Sequence, residues 1–151
     1  MTLRIRSAER NDLTSVLELY RHLGETNLGS NLPELHRVWR EMLAQPGLTC
    51  ILGLYDDNVV SSCCIVIVPN LTHGGHPYSL VENVVTRRDF RKRGFGTAVV
   101  KHALSLAWAS GCYKAMLLTG SRRPETHRFY QECGFLADDK IGFVARPPGP
   151  S

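Results

Sequence analysis

The densest chemistry in this 151-residue sequence lies between residues 87 and 97, which read Arg-Arg-Asp-Phe-Arg-Lys-Arg-Gly-Phe-Gly-Thr. Five of the chain's 18 basic residues and one of its 14 acids fall within residues 87–93. This stretch carries a local +4, the formal net charge of the whole chain, and the other 13 basic and 13 acidic residues cancel. Charge confined in this way marks an anion site, not a surface coated for nucleic acid. No aromatic pattern accompanies the arginines, which argues against an RNA-binding domain. Gly94 and Gly96 allow backbone N–H groups to approach a phosphate closely, and a helix starting there adds partial positive charge. No Gly-Lys-Ser/Thr follows, so this is not a Walker loop. The third glycine of a dinucleotide fingerprint is also missing, its place taken by Val99. A solvated basic turn capped by glycine is the plain alternative.

Positioning such a loop requires a strand before it and a helix after it. Residues 79–86 read as the strand. Val99, Val100, Ala103, Leu104, Ala107 and Trp108 repeat at helical spacing until Gly111. Upstream, residues 2–7 alternate as a first strand, and Leu13, Val16, Leu17, Tyr20 and Leu23 outline a helix stopped by Gly24. A second helix is expected over 33–44. Strands over 49–55 and 59–68 flank Asp56-Asp57-Asn58, a hairpin signal. Residues 69–77 form a polar loop, and 113–119 another strand. Pro124 opens a short helix closed by Gly134, and residues 135–144 supply one or two closing strands. Residues 147–151 form a loose tail behind a single domain, 1–146.

Composition agrees with one ordinary globular domain: 43% hydrophobic and 21% charged residues. The longest apolar run, residues 63–68, is six residues, far below the ~20 of a membrane helix. The N-terminus carries charge where a signal peptide needs its apolar stretch, so a cytoplasmic protein is expected. Cys50, Cys63, Cys64, Cys112 and Cys133 contain no Cys-x-x-Cys pair and are read as small buried hydrophobes, with neither disulfide nor metal expected.

Two motifs together resemble the GNAT superfamily of acetyl-CoA-dependent N-acetyltransferases. Arg91, Gly94 and Gly96 match its Arg/Gln-x-x-Gly-x-Gly/Ala signature. His127-Arg128-Phe129-Tyr130-Gln131-Glu132-Cys133-Gly134-Phe135 matches its aromatic-Tyr helix ending in Gly-Phe. The resemblance spans about residues 3–145. It implies an α/β fold with a twisted mixed sheet of six to seven strands, about four flanking helices, and a V-shaped splay between the fourth and fifth strands. It implies acetyl-CoA as co-substrate, with no metal. The pyrophosphate would lie on Arg91, Lys92, Arg93, Gly94, Phe95, Gly96 and Thr97, and pantetheine would run along Val84, Val85 and Thr86 like an added strand. Two departures stand out: Arg88 replaces a common proline, and Arg123 an asparagine.

The reaction implied is direct attack of a primary amine, on a small molecule or a peptide, in a ternary complex. An alkylamine is mostly protonated at neutral pH, so a base is needed. Glu82, interrupting the apolar run Val81-Glu82-Asn83-Val84-Val85, is the candidate; that string is similar to glucosamine-phosphate acetyltransferases. A surface glutamate is the alternative. Tyr130 is the family-matched general acid for the departing thiolate, against a reading as a core aromatic. His73 and His76 are read as loop residues before the central strand. A non-catalytic acyl-CoA or nucleotide sensor is the alternative of another class, and a homodimer is compatible with the resemblance.

Overall fold

The computed structural model describes residues 2–24 and 28–149. Residues 25–27 and the end of the tail lie outside these residues. The chain divides into two compact units, Met1–Leu117 and Leu118–Ser151.

In the first unit, the largely apolar, continuously buried runs of the central strands let the sheet bury opposite faces against different helices. The strands β1 (Leu3–Ser7), β2 (Leu48–Tyr55), β3 (Asn58–Val68) and β4 (Tyr78–Thr86) pair antiparallel in sequence order. A short β5 (Ala115–Met116) joins β4 in parallel. On one face, Cys50, Leu52, Leu54 and Cys64 pack with Leu13 and Val16 of α1 (Leu13–Tyr20) and Trp39 of α2 (Leu32–Ala44). The Trp39 indole donates to the Arg10 carbonyl at 3.2 Å, satisfying its one polar atom. Asn31 caps α2 by accepting from the Glu34 amide.

The other face receives α4 (Phe95–Ala109), which buries Val99, Val100, Ala103 and Ala107 completely. Gly53 explains how closely it sits: a β-carbon there would stand 2.9 Å from Val99 Cγ1. Between β3 and β4, residues 72–75 make a single helical turn, α3, with His73 and Gly74 at positive φ.

The second unit contains one helix, α5 (Pro124–Glu132), with proline in its first turn as expected. Here the sequence expectation needs correction. Five strands are present among the described residues where six to seven were expected, while the five helices, counting the single turn α3, fit the expected number of about four. The strand expected over 113–119 shrinks to Ala115–Met116, and residues 135–144 form none. Their apolar residues cluster at 135–137 and 141–144 rather than alternating; a strand exists only where a neighbour completes its ladder, and no backbone hydrogen bond pairs 136–149 with another described residue.

Candidate active site

Strand β4 has two edges with different fates. One pairs with β3 along its length. The other pairs with β5 only at Ser79 and Leu80. From Val81 to Thr86 no described strand covers that edge. Within this stretch Glu82 pairs with Cys64 and Val85 with Ser62, so Asn83 and Val84 together face Cys63. This is a β-bulge, and Asn83 takes φ 52° to make it.

Glu82 is exposed, on the same face as its partner Cys64. The Cys64 Sγ lies 3.8 Å from the Tyr20 hydroxyl at the end of α1. Burial pushes the Tyr20 phenol up, reinforced by Cys64 and opposed by a hydrogen bond with Asn83. Tyr20 therefore stays protonated beside the bulge. The sequence reading had placed it only as a helix core residue; the β3–β4 register is what sets its partner Cys64 opposite Glu82. Val84 is half-buried and Val85 buried. The Val85 carbonyl already accepts from Ser61 Oγ at 3.0 Å, and Thr86 Oγ1 sits 2.8 Å from the same hydroxyl.

The chain then turns through residues 88–90 into the basic loop, with Lys92 at φ 61° and Gly94 at φ 86°. Gly94 is the N-cap of α4 and offers no side chain to the helix's first amides. Ala98 is the first to find an intrahelical acceptor, the Gly94 carbonyl. The N–H groups of Phe95, Gly96 and Thr97 are left for a ligand, which is what a phosphate cradle requires.

The five cations of residues 87–93 are not equivalent. Arg91 donates to the carbonyls of Thr86 at 3.1 Å and His22 at 3.0 Å, fastening the loop to α1. Arg87 pairs with Asp89 at 2.9 Å. The Arg93 guanidinium lies over the rings of Tyr55, Phe90 and Phe95, 4.9–5.3 Å from their centroids. The Arg88 and Lys92 side chains are exposed, and among the described residues neither makes a hydrogen bond or an ion pair. Three cations thus build the loop and two remain for an anion. His22 was missed by the sequence reading. Its Nδ1 accepts from the Arg88 amide at 3.3 Å, and burial, then Arg88, Arg91 and Arg87, hold its pKa below the usual histidine value.

Glu82, Val84, Val85, Thr86 and residues 91–97 are therefore brought together in the first unit. Tyr130 belongs to the second. It is half-buried on α5, with Phe129 at 5.0 Å and Phe135 at 6.2 Å between ring centroids. His73 stacks on Tyr113 at 3.8 Å, and His76 Nδ1 meets the Gly111 carbonyl at 3.0 Å, so both hold the loop before β4. All five cysteines are buried, and none is in a disulfide. Among the described residues no cluster could hold a metal ion, and no helix is long and apolar enough to cross a membrane.

Comparison with known proteins bears directly on this geometry. Residues 16–135 match the profile of the acetyltransferase (GNAT) family. A glucosamine 6-phosphate N-acetyltransferase of Trypanosoma brucei brucei is 29% identical over 140 residues, 91% of this chain and 92% of that one. A solved Agrobacterium tumefaciens protein described as an acetyltransferase is 42% identical with a TM-score of 0.90, covering 95% of this chain and 99% of its own. The fold is also shared with the glucosamine-6-phosphate N-acetyltransferase of Arabidopsis thaliana, at TM-score 0.83 and 21% identity, over 97% of this chain and 99% of that one.

Proposed function

Because this chain belongs to the GNAT family of acetyltransferases, we propose that it transfers acetyl from acetyl-CoA to a primary amine of a small molecule. One observation carries this reading: the uncovered β4 edge, from Val81 to Thr86, leads directly into the uncapped N-terminus of α4. An extended amide-bearing chain can bond that edge like a strand while its phosphates meet the amides of Phe95, Gly96 and Thr97. Pantetheine with its pyrophosphate has this form. The early end of the β4–β5 ladder supports the splay that would admit it.

In this reading, the Arg88 and Lys92 side chains add long-range attraction, while Arg91 and Arg93 hold the cradle's shape. Glu82, on the open face of the bulge, takes the proton of the ammonium directly or through a water. The freed amine attacks the thioester carbon, the C–S bond breaks, Tyr130 hands its proton to the thiolate, and the second proton lost by the nitrogen as the amide forms passes through solvent to restore the phenol. A phenol near pKa ~10 can deliver a proton to a thiolate near ~8.5 when the sulfur charge develops. The acetyltransferase domain spans residues 1–146. Five buried cysteines outside any disulfide suit a reducing compartment such as the cytoplasm.

Glucosamine 6-phosphate is the first acceptor to test, because a 29% identical relative bears that name. The experiment is thiol release from acetyl-CoA across a panel of amino sugars, aminoglycosides, polyamines and peptides, with the acetylated product identified by mass. Release with at least one amine is expected. Coenzyme A binding with no release from any amine would instead favour the sensor reading.

A further inference from the structure

The sheet sets Cys50 of β2 directly opposite Cys64 of β3. In the same ladder the Ile67 amide donates to the Gly47 carbonyl at 2.9 Å. Alternation from that bonded pair makes Cys50 and Cys64 a pair with no backbone bond between them. The Cys50 carbonyl accordingly turns the other way, to β1, and accepts from the Ala8 amide at 2.8 Å. Pairs of this kind hold their α-carbons ~4.5 Å apart with the side chains closest. A disulfide spans about 4.4–6.8 Å between α-carbons, so the two positions can be bridged without moving the strands. Both side chains are buried in one apolar cluster with Leu13, Val16 and Trp39. Cys63, next in sequence, points to the opposite face, where its thiol donates to the Val99 carbonyl at 3.6 Å.

We propose that Cys50 and Cys64 form a dithiol site that a hydroperoxide oxidises to a reversible cross-strand disulfide, with Cys64 as the attacking sulfur and Cys50 as the resolving one. Access comes from a cleft of about 230 Å³ that Cys50 lines together with Ser7, Ala8, Met42 and Leu43. A water occupies roughly 30 Å³, so a small peroxide fits with room to turn. The roles follow from the hydrogen bonds. Cys64 is held below the ordinary thiol value by the Cys50 hydrogen bond and by Tyr20, against burial and the Glu82 carboxylate. The same bond from Cys50, with burial, pushes the Cys50 thiol up, so Cys50 keeps its proton. The thiolate is the nucleophile toward peroxide, which selects Cys64.

The Cys64 sulfur attacks one peroxide oxygen, the O–O bond breaks, and the departing hydroxide takes a proton to leave as water. Cys64 is then a sulfenic acid. The Cys50 sulfur attacks the Cys64 sulfur, its proton joins the expelled hydroxide as a second water, and the S–S bond forms. Two thiols are oxidised and one peroxide is reduced. In a reducing compartment such a bond is transient, since thiolates attack it and restore the pair. This inference rests on β2 and β3 and stands independently of the acetyl-transfer reading.

The test treats the reduced, folded full chain with hydrogen peroxide, then unfolds it in urea with a maleimide and reads the mass. Three of the five cysteines should take the label, and all five after dithiothreitol. Cleavage at Asp56 and Asp57, which lie between the two cysteines, should leave the two peptides joined. Cys63→Ala should keep that linkage, because its thiol faces α4. Cys50→Ala should stop at the sulfenic acid of Cys64, caught by dimedone, whereas Cys64→Ala should be neither linked nor labelled by dimedone. Five labelled cysteines after peroxide, a linkage to Cys112 or Cys133, or a linkage between chains overturns the proposal. A sulfenic acid at Cys50 in Cys64→Ala overturns the assignment of the attacking sulfur. The wild-type linkage decides the pairing even where a variant fails to fold.

Discussion

The two units handle apolar residues in opposite ways. Met1–Leu117 holds every buried core residue except Cys133, with Ile51, Leu52, Val60, Ile65 and Val99 wholly removed from solvent. Leu118–Ser151 leaves Leu136, Ile141 and Phe143 at least 74% exposed. The first unit is a scaffold that stands on its own packing. The second presents groups rather than burying them: a tyrosine read as catalytic and the exposed apolar side chains after α5. Burial, and with it stability, is concentrated in the first unit, so core substitutions there should cost more than equivalent ones in the second.

The largest expected effect tests whether the poorly buried unit carries chemistry. Tyr130→Phe keeps the ring but removes the proton, so kcat should fall ~10²–10⁴-fold while KM for acetyl-CoA shifts little. Steady-state kinetics with chemistry shown to be rate-limiting decides it, and unchanged kcat returns Tyr130 to packing. In the first unit, Glu82→Gln should lower kcat/KM by roughly 10²-fold near neutral pH. That deficit should shrink toward about pH 9–10, where the amine increasingly loses its proton without help. A pH-independent deficit would assign Glu82 to substrate anchoring.

Core substitutions sharpen the contrast in stability. Ile65→Ala should cost ~2–5 kcal/mol in urea unfolding, since the side chain is fully buried. Phe129→Ala, half-buried on α5, should cost on the order of 1 kcal/mol. Equal costs would dissolve the distinction between the units. Gly94→Ala tests the cradle itself. No atom lies within 4 Å of its added β-carbon, so the cost comes from φ 86° alone, about 1–2 kcal/mol. Calorimetry should register it as weaker coenzyme A binding, because relaxing the turn moves the amides of α4.

The smallest effect concerns ion pairs. Arg6 hydrogen bonds hold the Asp12 carboxyl below its usual value, at 2.7 and 3.0 Å and with Asp12 only 13% exposed. A lowered folded value means the pair contributes above the ordinary carboxylate pKa of ~3.9 and is lost as pH falls through the folded one. Asp12→Asn should therefore cost up to about 1 kcal/mol at pH 7 and progressively less in acid, read from unfolding at several pH values. The second unit's exposed Arg123–Glu125 pair, at 3.7 Å, should contribute nothing measurable.

The sequence by itself determined the local pieces and the motif chemistry. Periodicity outlined α1, α2, α4 and α5 and the β2–β3 hairpin, because helical and strand spacing are properties of neighbouring residues. The glycines and cations of residues 91–97 announced an anion site for the same reason: all of its parts lie within one turn of chain. Only the tertiary structure decided which cations are free. Arg93 is taken by Tyr55, and Arg91 by His22, partners 38 and 69 residues away in sequence. Likewise Tyr20 reaches the neighbourhood of Glu82 only through the β3–β4 register. Strand formation at 135–144 failed for the same reason. Apolar content says that a segment could be buried, but the ladder belongs to its neighbour, whose position lies elsewhere in the fold.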